Sequence, residues 1–394
     1  MLTFVATTTR GAEPVLADEL RALGMNAVDE DRGAVRFKGE LEAGYRACLW
    51  LRSASRVLLV LDKFDARTSQ ALYEGCLRID WTDHVGRDST IAVDFTGTSA
   101  AVRNSHFGAL RVKDAVVDRI RDSAGWRPHV DVKRADVRIN AHLRGDFATL
   151  AIDLSGRPLH QRDYRRDGGP APLKETLAAA MLGMAGWPGE DPGARPFADP
   201  FCGSGTLLVE ATLAALDRAP GRLRRRWGFQ GWRPHQPQLW DDLLAEADAR
   251  ADAASIRPVV AYGSDIDADQ LDRARACAER AGVAKHIRLQ RQPMTSASAP
   301  AGSAGLLVTN PPYGERLGEH AELRPLYRDL GNTLRRQWLG WDAWVLTAAP
   351  SLAKAVGLRA SKRIPVFNGP MECRLLNYPI SAAAPEGRGP SWRE

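Results

Sequence analysis

Asp199-Pro200-Phe201-Cys202-Gly203-Ser204-Gly205-Thr206 joins an expected strand to an expected helix and carries most of the information about fold class. Apolar residues lead into it at 197–199, where a strand is expected to end, and a helix-forming run follows at 206–216. Gly203 and Gly205 remove Cβ atoms where a ligand must touch backbone. The amides ahead of the helix can receive a carboxylate. A glycine pair by itself is equally an ordinary tight strand–helix turn, so the neighbouring sequence has to choose.

Strands and helices alternate downstream of this turn. Strands are expected at 259–264, 286–289, 305–309, 343–347 and 371–378. A helix is expected over 268–281, with Asp267 as N-cap and Gly282 past its end. Such alternation implies an α/β, Rossmann-like domain: a mostly parallel sheet with helices on both faces. Upstream, a helix over 172–182 opens on Pro172, a residue suited to a first turn. The segment 156–172 reads as a connector. It gathers Pro158, Gly168, Gly169, Pro170 and Pro172, with Arg157, Arg162, Arg165 and Arg166 among them. The tail over 381–394 is mostly small or polar and is expected to be mobile.

The first part of the chain is of another kind, an α+β region. Helices are expected at 13–23, 40–51 and 109–121, and strands at 34–37, 56–64 and 90–95. Two further strands, 137–143 and 147–154, pair around Arg144-Gly145-Asp146. Val112, Val116 and Ile120 form one apolar stripe, with Arg111, Lys113, Arg119 and Arg121 off it. Taken alone, those cations read as a solvated face.

Whole-chain features set the bounds. A length of 394 residues allows two or three domains. The hydrophobic share of 44% and charged share of 26% exclude a disordered or fibrous chain. A net charge of +6 fits a polyanion partner without specifying one. The cysteine count of 5 is odd and contains no CxxC pair, which argues against a disulfide framework or a zinc site and for a reducing compartment. No secretory signal, membrane span or metal site is expected, and a cytoplasmic location follows.

Two more motifs carry chemistry. In Gly263-Ser264-Asp265-Ile266-Asp267, Asp265 ends the strand after the glycine turn. An acid there accepts from the ribose hydroxyls of a nucleoside cofactor. The gap from the glycines exceeds the usual ~20 residues because 218–257 is inserted. The third motif, Asn310-Pro311-Pro312-Tyr313, follows the apolar strand at 305–309. Two prolines remove two donors and stiffen the turn. The Asn310 side-chain oxygen and the Pro311 carbonyl can then meet the hydrogens of one amino group. An exocyclic amine on a base is a poor nucleophile because its lone pair is delocalised. Two acceptors favour its pyramidal form and free the lone pair to attack an S-adenosylmethionine methyl in line. Tyr313 offers a face for the base.

The 199–206 run and Asn310-Pro311-Pro312-Tyr313-Gly314-Glu315-Arg316-Leu317 resemble those of guanine-N2 RNA methyltransferases that carry a THUMP domain. The resemblance extends over nearly the whole chain. It includes 101–105 and 112–115 in the THUMP segment, 154–165 at the join, 172–179 beside the cofactor, and 217–221 with 226–229 in the insertion. It implies a ferredoxin-like unit over 1–56, a THUMP domain over 57–156, a linker over 157–171 and a class I methyltransferase domain over 172–394. The implied reaction is methylation of a guanine N2 in domain V of 23S rRNA, free or in a large-subunit precursor. S-adenosylmethionine is the implied cofactor. Asp199, Phe201, Cys202, Gly203, Ser204, Gly205, Thr206, Asp265, Ile266, Gln292, Asn310, Lys174 and Thr176 are the expected cofactor contacts. Asn310, Pro311, Pro312 and Tyr313 are the expected catalytic set. Arg103, Lys113, Arg222, Arg224, Arg225 and Arg226 are expected to hold RNA. In the insertion, Trp227, Phe229 and Trp232 either stack bases or pack against the core.

The chain departs from the family twice. Many members carry a second domain, making 7-methylguanine, behind this one; the chain ends at Glu394, so that activity is expected to be absent. The family's acid after the third strand is replaced by Gln290-Arg291-Gln292-Pro293, leaving Gln292 to meet the adenine edge. The alternatives are a tRNA guanine-N2 enzyme, a DNA adenine-N6 enzyme, and a non-catalytic RNA-binding assembly protein. The intact Asp199, Gly203, Gly205, Asp265 and Asn310 set argues against the last.

Overall fold

A computed structural model describes residues 1–165, 173–193, 195–258, 260–300, 304–314 and 317–381. The expected connector residues Arg166, Gly168, Gly169, Pro170 and Pro172, the pair Glu315 and Arg316, and the tail beyond Ser381 lie outside them. Contacts divide the chain into two units: Met1–Gly168 with Lys174–Ala180 and Asp217–Ser255, and Gly169–Leu173 with Met181–Leu216 and Ile256–Glu394. The span 172–394 therefore does not cluster as one body, since the insertion belongs with the first unit.

The first unit opens with β1 (Leu2–Thr7), α1 (Glu13–Ala22), β2 (Asn26–Asp31), β3 (Ala34–Gly39), α2 (Leu41–Trp50) and β4 (Arg56–Asp65). It continues with α3 (Ser69–Leu77), β5 (Thr90–Thr96), α4 (Ser105–Ala124), β6 (His129–Val130), β7 (Val137–Arg144) and β8 (Phe147–Asp153). These strands make one eight-stranded sheet, ordered β2-β3-β1-β4-β8-β7-β5-β6. β4 is the seam: Leu59 sits opposite Phe4 of β1 on one side and Ile152 of β8 on the other. The two halves of this unit thus share a continuous sheet.

No strand is expected from the sequence at β1 or β2, although Leu2–Thr7 is rich in strand formers. β2, Asn-Ala-Val-Asp-Glu-Asp, has almost no strand propensity and lies at the sheet edge. Cross-strand pairing holds it: Asp29 faces Arg36 of β3 and meets its guanidinium at 2.8 Å. α4 is longer than expected because Asn104 caps it, accepting from the His106 N–H at 2.7 Å.

The insertion is built around aromatic packing. It contains α7 (Pro237–Ala254), which follows α5 (Glu175–Met184), β9 (Phe197–Asp199) and α6 (Thr206–Ala215) in chain order. Phe229 stacks on Tyr45 of α2 at 4.3 Å between centroids, and Trp240 meets Phe229 edge-on at 4.9 Å. Trp227, Phe229 and Trp232 are at most 5% exposed and join the first unit's hydrophobic core. The tryptophans therefore pack and do not offer faces to bases. Tyr45 also places its hydroxyl 2.7 Å from His235 Nδ1, fixing the start of α7.

The second unit continues with β10 (Ala261–Asp265), α8 (Ala268–Arg280), β11 (Ile287–Arg291), β12 (Leu306–Thr309), α9 (Leu317–Gln337), β13 (Asp342–Thr347), α10 (Pro350–Ala355), β14 (Lys362–Asn368) and β15 (Met371–Pro379). Its sheet runs β11-β10-β9-β12-β13-β15-β14. The first five strands are parallel, and β15 is antiparallel to both β13 and β14. The chain steps outward from β9 to β10 and β11, then returns to place β12 on β9's other side. That reversal leaves a crevice beyond the carboxyl ends of β9 and β12, where open α/β sheets bind ligands. Tyr327, Leu330 and Leu334 of α9 bury against this sheet together with Leu307 and Val345.

Candidate functional site

Three loops meet at the reversal. Asp199, the last residue of β9, is 2% exposed, and its Oδ1 accepts from the Thr309 hydroxyl at 2.6 Å and the Phe201 N–H at 3.1 Å. Thr309 ends β12, so this hydrogen bond ties the two strands that flank the crevice. Burial pushes the Asp199 carboxyl up to about 7, partly offset by the Thr309 and Phe201 hydrogen bonds and reinforced by the nearby Asp265 charge. A buried acid poised this way gains from a cationic ligand.

Asp265 binds the loops together. Its Oδ2 accepts from the Gly203 N–H at 2.9 Å and its Oδ1 from the Asp267 N–H at 3.0 Å. Its carbonyl accepts from the Gln292 N–H at 3.1 Å. Each carboxylate oxygen keeps a further lone pair for a ligand hydroxyl. Asp267 caps α8 as expected, accepting from the Asp269 N–H at 2.9 Å.

The two glycines of the turn serve different ends. Both have positive φ, +49° at Gly203 and +80° at Gly205. A Cβ on Gly203 would meet nothing within 4 Å, so its backbone faces open space. A Cβ on Gly205 would lie 2.9 Å from the Cβ of Ala274 in α8. Gly203 therefore fits the expected approach of a ligand, while Gly205 lets two helices pack. Cys202 is buried, and its Sγ packs beneath Gly263; burial and the neighbouring Asp199 and Asp265 push its thiol well above the usual range. It carries no thiolate for nucleophilic chemistry. Ser204 and Thr206 follow at the start of α6. Ile266 is 67% exposed directly after Asp265, an apolar surface at the crevice edge. A cavity of about 450 Å³ opens against the same strands, lined by Asp199, Gly263, Ser264, Gln290 and Gln292 among others. Lys174 and Thr176 belong to the first unit.

Asn310 follows Thr309 at the mouth of the crevice. Its Oδ1 is buried and, among the described residues, has no hydrogen-bond partner. Leaving a buried acceptor unmet costs about 1–3 kcal/mol, so the loop holds it there against its own stability. Pro311 is buried and Pro312 exposed. The Tyr313 hydroxyl accepts from Asn368 Nδ2 at 3.0 Å, which anchors the ring to the end of β14. Thr309 and Asn368 are absent from the sequence-derived set. A hydroxyl ending an otherwise apolar strand is a readable signal for Thr309. Asn368 lies 55 residues from Tyr313 and gives none.

The expected RNA contacts separate. Arg103 and Arg225 are exposed. Arg222 pairs with both oxygens of Asp248 at 2.8 and 3.1 Å, Arg226 with Asp136 at 2.9 Å, and Lys113 with Asp114 at 2.6 Å. Arg224 is 6% exposed and donates to four carbonyls, those of Pro158 at 2.7 Å, Ser155 and Arg157 at 2.9 Å, and Gln161 at 3.2 Å. Burial lowers it to about 10, still charged at neutral pH. It is a structural clamp on residues 155–161 and not a phosphate ligand.

The sheet order, the acid-bearing turns after β9 and β10 and the Asn-Pro-Pro-Tyr turn after β12 define a class I methyltransferase domain. The chain belongs to the RMKL-like methyltransferase family, whose methyltransferase-domain model matches residues 162–377. Models of the RlmL ferredoxin-like domain and of the THUMP domain match 3–58 and 66–153. A ribosomal RNA large subunit methyltransferase K/L from Syntrophotalea carbinolica is 49% identical over 383 residues, covering 96% of this chain and 53% of the relative. The chain thus spans about half the length of the curated relatives it matches. Among solved structures, a Listeria monocytogenes str. 4b F2365 protein described as a predicted N6-adenine-specific DNA methylase superposes with TM-score 0.85 at 32% identity, covering 96% of both chains. SMU.472, solved in complex with SAH, superposes with TM-score 0.85 at 29% identity over 97% of this chain and 99% of its own.

Proposed function

We propose that this chain transfers a methyl group from S-adenosylmethionine to the exocyclic N2 amine of a guanine in 23S rRNA, acting in the cytoplasm on free rRNA or a large-subunit precursor. The observation that carries this reading is the buried, unpartnered Asn310 Oδ1 beside the cofactor-type turns. Bound in the crevice, the cofactor supplies an electrophilic methyl group on a sulfonium. The open backbone at Gly203 and the paired acids Asp199 and Asp265 fit its amino-acid and ribose parts. Ile266 and Gln292 then border its base. Asn310 Oδ1 and the Pro311 carbonyl accept from the target amine and localise its lone pair, while Tyr313, fixed by Asn368, supports the base. The THUMP match and the naming of the curated relatives support RNA as the substrate. Labelled-methyl transfer to a domain V transcript, tRNA and duplex DNA, followed by mapping of the modified nucleotide, tests it. Labelling of DNA adenine in place of rRNA would sink the reading.

Two expected results follow from the acids. Asp265→Ala should weaken S-adenosylhomocysteine binding by roughly 2–3 kcal/mol, the scale of hydrogen bonds to a charged group. Calorimetric titration measures it, and unchanged affinity would assign the ribose to another residue. Asp199 gives a pH dependence. Its raised pKa leaves it neutral below about 7, where it no longer meets the ligand's ammonium with a charge. Affinity should peak between about pH 7 and the point where the ligand's own ammonium loses its proton, and fall up to about tenfold per unit below about 7, through linkage to one proton. Asp199→Asn should bind weakly and lose the dependence; a wild-type profile as flat as the variant's would remove Asp199 from the ammonium site.

A further inference from the structure

The second unit carries a groove that none of the motifs accounts for. It measures about 750 Å³ and runs along β14 and β15 beneath α10. Arg363, Arg374, Leu376 and Tyr378 line it from the sheet, with Lys354 and Leu358 from α10 and the loop behind it. Arg374 lies opposite Thr347 on β13 and Pro365 on β14, and Arg363 lies opposite Leu376. Residues two apart on a strand share a face, so Arg374, Leu376 and Tyr378 align on one side, with Arg363 beside them.

Its charge is what distinguishes it. Lys354, Arg363 and Arg374 are exposed, and among the described residues no carboxylate comes within 4.0 Å of any of them. Glu372 is the acid on the same lining. In the first unit, by contrast, many cations are held in ion pairs, among them Arg46 with Glu246, Arg138 with Asp94, Arg144 with Asp31 and Arg222 with Asp248. Neighbouring cations without counter-charges repel one another, and a polyanion relieves that repulsion. Leu376 and Tyr378 close its floor from the core, so the exposed cations are what the groove offers a ligand. Its volume falls within the ~300–1,000 Å³ of ligand sites.

Position supplies the second argument. Thr347 and Arg374 pair at the carboxyl end of β13, the strand next to β12, whose end carries Asn310. The β14–β15 hairpin closes at Asn368 and Met371, and Asn368 holds Tyr313. The groove therefore begins at the edge of the sheet where the target base is placed. We propose that it binds the phosphate–sugar backbone of the single-stranded RNA adjoining the target guanine. The inference rests on the RNA reading above.

The test compares the wild-type chain with Lys354→Ala/Arg363→Ala/Arg374→Ala and with Arg363→Lys/Arg374→Lys. The probe is a transcript of domain V of 23S rRNA, its affinity measured across a KCl series and its KM and kcat at fixed salt. Each lost phosphate contact on single-stranded RNA should reduce the log–log salt slope by roughly 0.7, so the triple variant should lose roughly 2. KM for RNA should rise roughly tenfold or more with kcat at saturating RNA retained. S-adenosylhomocysteine affinity should not change, and the lysine variant should keep the slope. Should the alanine chain fail to fold, Arg363→Gln/Arg374→Gln retains the stems and should lose roughly 1.4 in slope. An unchanged slope and KM, with wild type methylating the transcript, overturns the groove while leaving the substrate reading intact. Wild type inert on the transcript but active on tRNA or duplex DNA overturns that reading and this proposal with it.

Discussion

Asn310→Ala is expected to abolish most turnover, by on the order of 10²-fold or more, the usual consequence of losing an oriented hydrogen-bonding group at the reacting centre. Folding should be unharmed, because the Asn310 Oδ1 is buried without a partner among the described residues. S-adenosylhomocysteine affinity should stay nearly unchanged, since Asp199, Gly203 and Asp265, the residues proposed to hold the cofactor, make their hydrogen bonds without it. The loss should fall on kcat and on kcat/KM together, the signature of a contact made in the transition state. Asn310→Asp keeps an acceptor of the same reach and should recover part of the rate. Single-turnover methyl transfer on the domain V transcript measures all three chains. An alanine variant close to wild type would mean that the amine is activated elsewhere.

A catalytic fragment starting at residue 165 is expected to fail as a soluble protein. The resemblance implies a methyltransferase domain over 172–394, which by itself would suggest that such a fragment folds. The insertion overturns that expectation. Trp227, Phe229, Trp240 and Leu243 bury against the first unit's core, Phe229 on Tyr45 and Trp227 4% exposed. Burying four such side chains is worth about 6–12 kcal/mol, at about 1.5–3 each. That sum is comparable with the whole stability of a domain, ~5–15 kcal/mol. Arg224 would also lose carbonyls of Ser155, Arg157, Pro158 and Gln161, its four acceptors. The fragment should aggregate or leave the insertion unfolded, read by gel filtration and by the absence of a cooperative melt. A monomeric fragment with a cooperative melt would show that the insertion finds a second way to bury its aromatics.

The motifs were legible because their chemistry is local. Gly203, Asp265, Asp267 and the Asn310–Tyr313 turn each do their work within a few residues of a strand end, and strand ends follow from apolar runs bounded by turn residues. The alternation after residue 197 likewise fixes a parallel sheet, because a parallel strand needs a crossover and a crossover is written in the chain as a helix. The family resemblance rests on the same runs.

Other features needed the tertiary structure because their partners are distant in sequence. Thr309 reaches Asp199 across 110 positions, and Arg224 reaches carbonyls 63–69 positions away. An arginine run reads as a solvated or RNA-facing surface whichever of its members is buried. β2 is a strand through its pairing with β3, against its own composition. Which functional groups stand at each strand end is readable along the chain, since propensity, turn geometry and functional groups are properties of short segments. Which cations remain unpaired, which unit claims the insertion and which acceptor is left waiting emerge with the folded chain. Burial and hydrogen-bond satisfaction are set by whatever the fold places alongside.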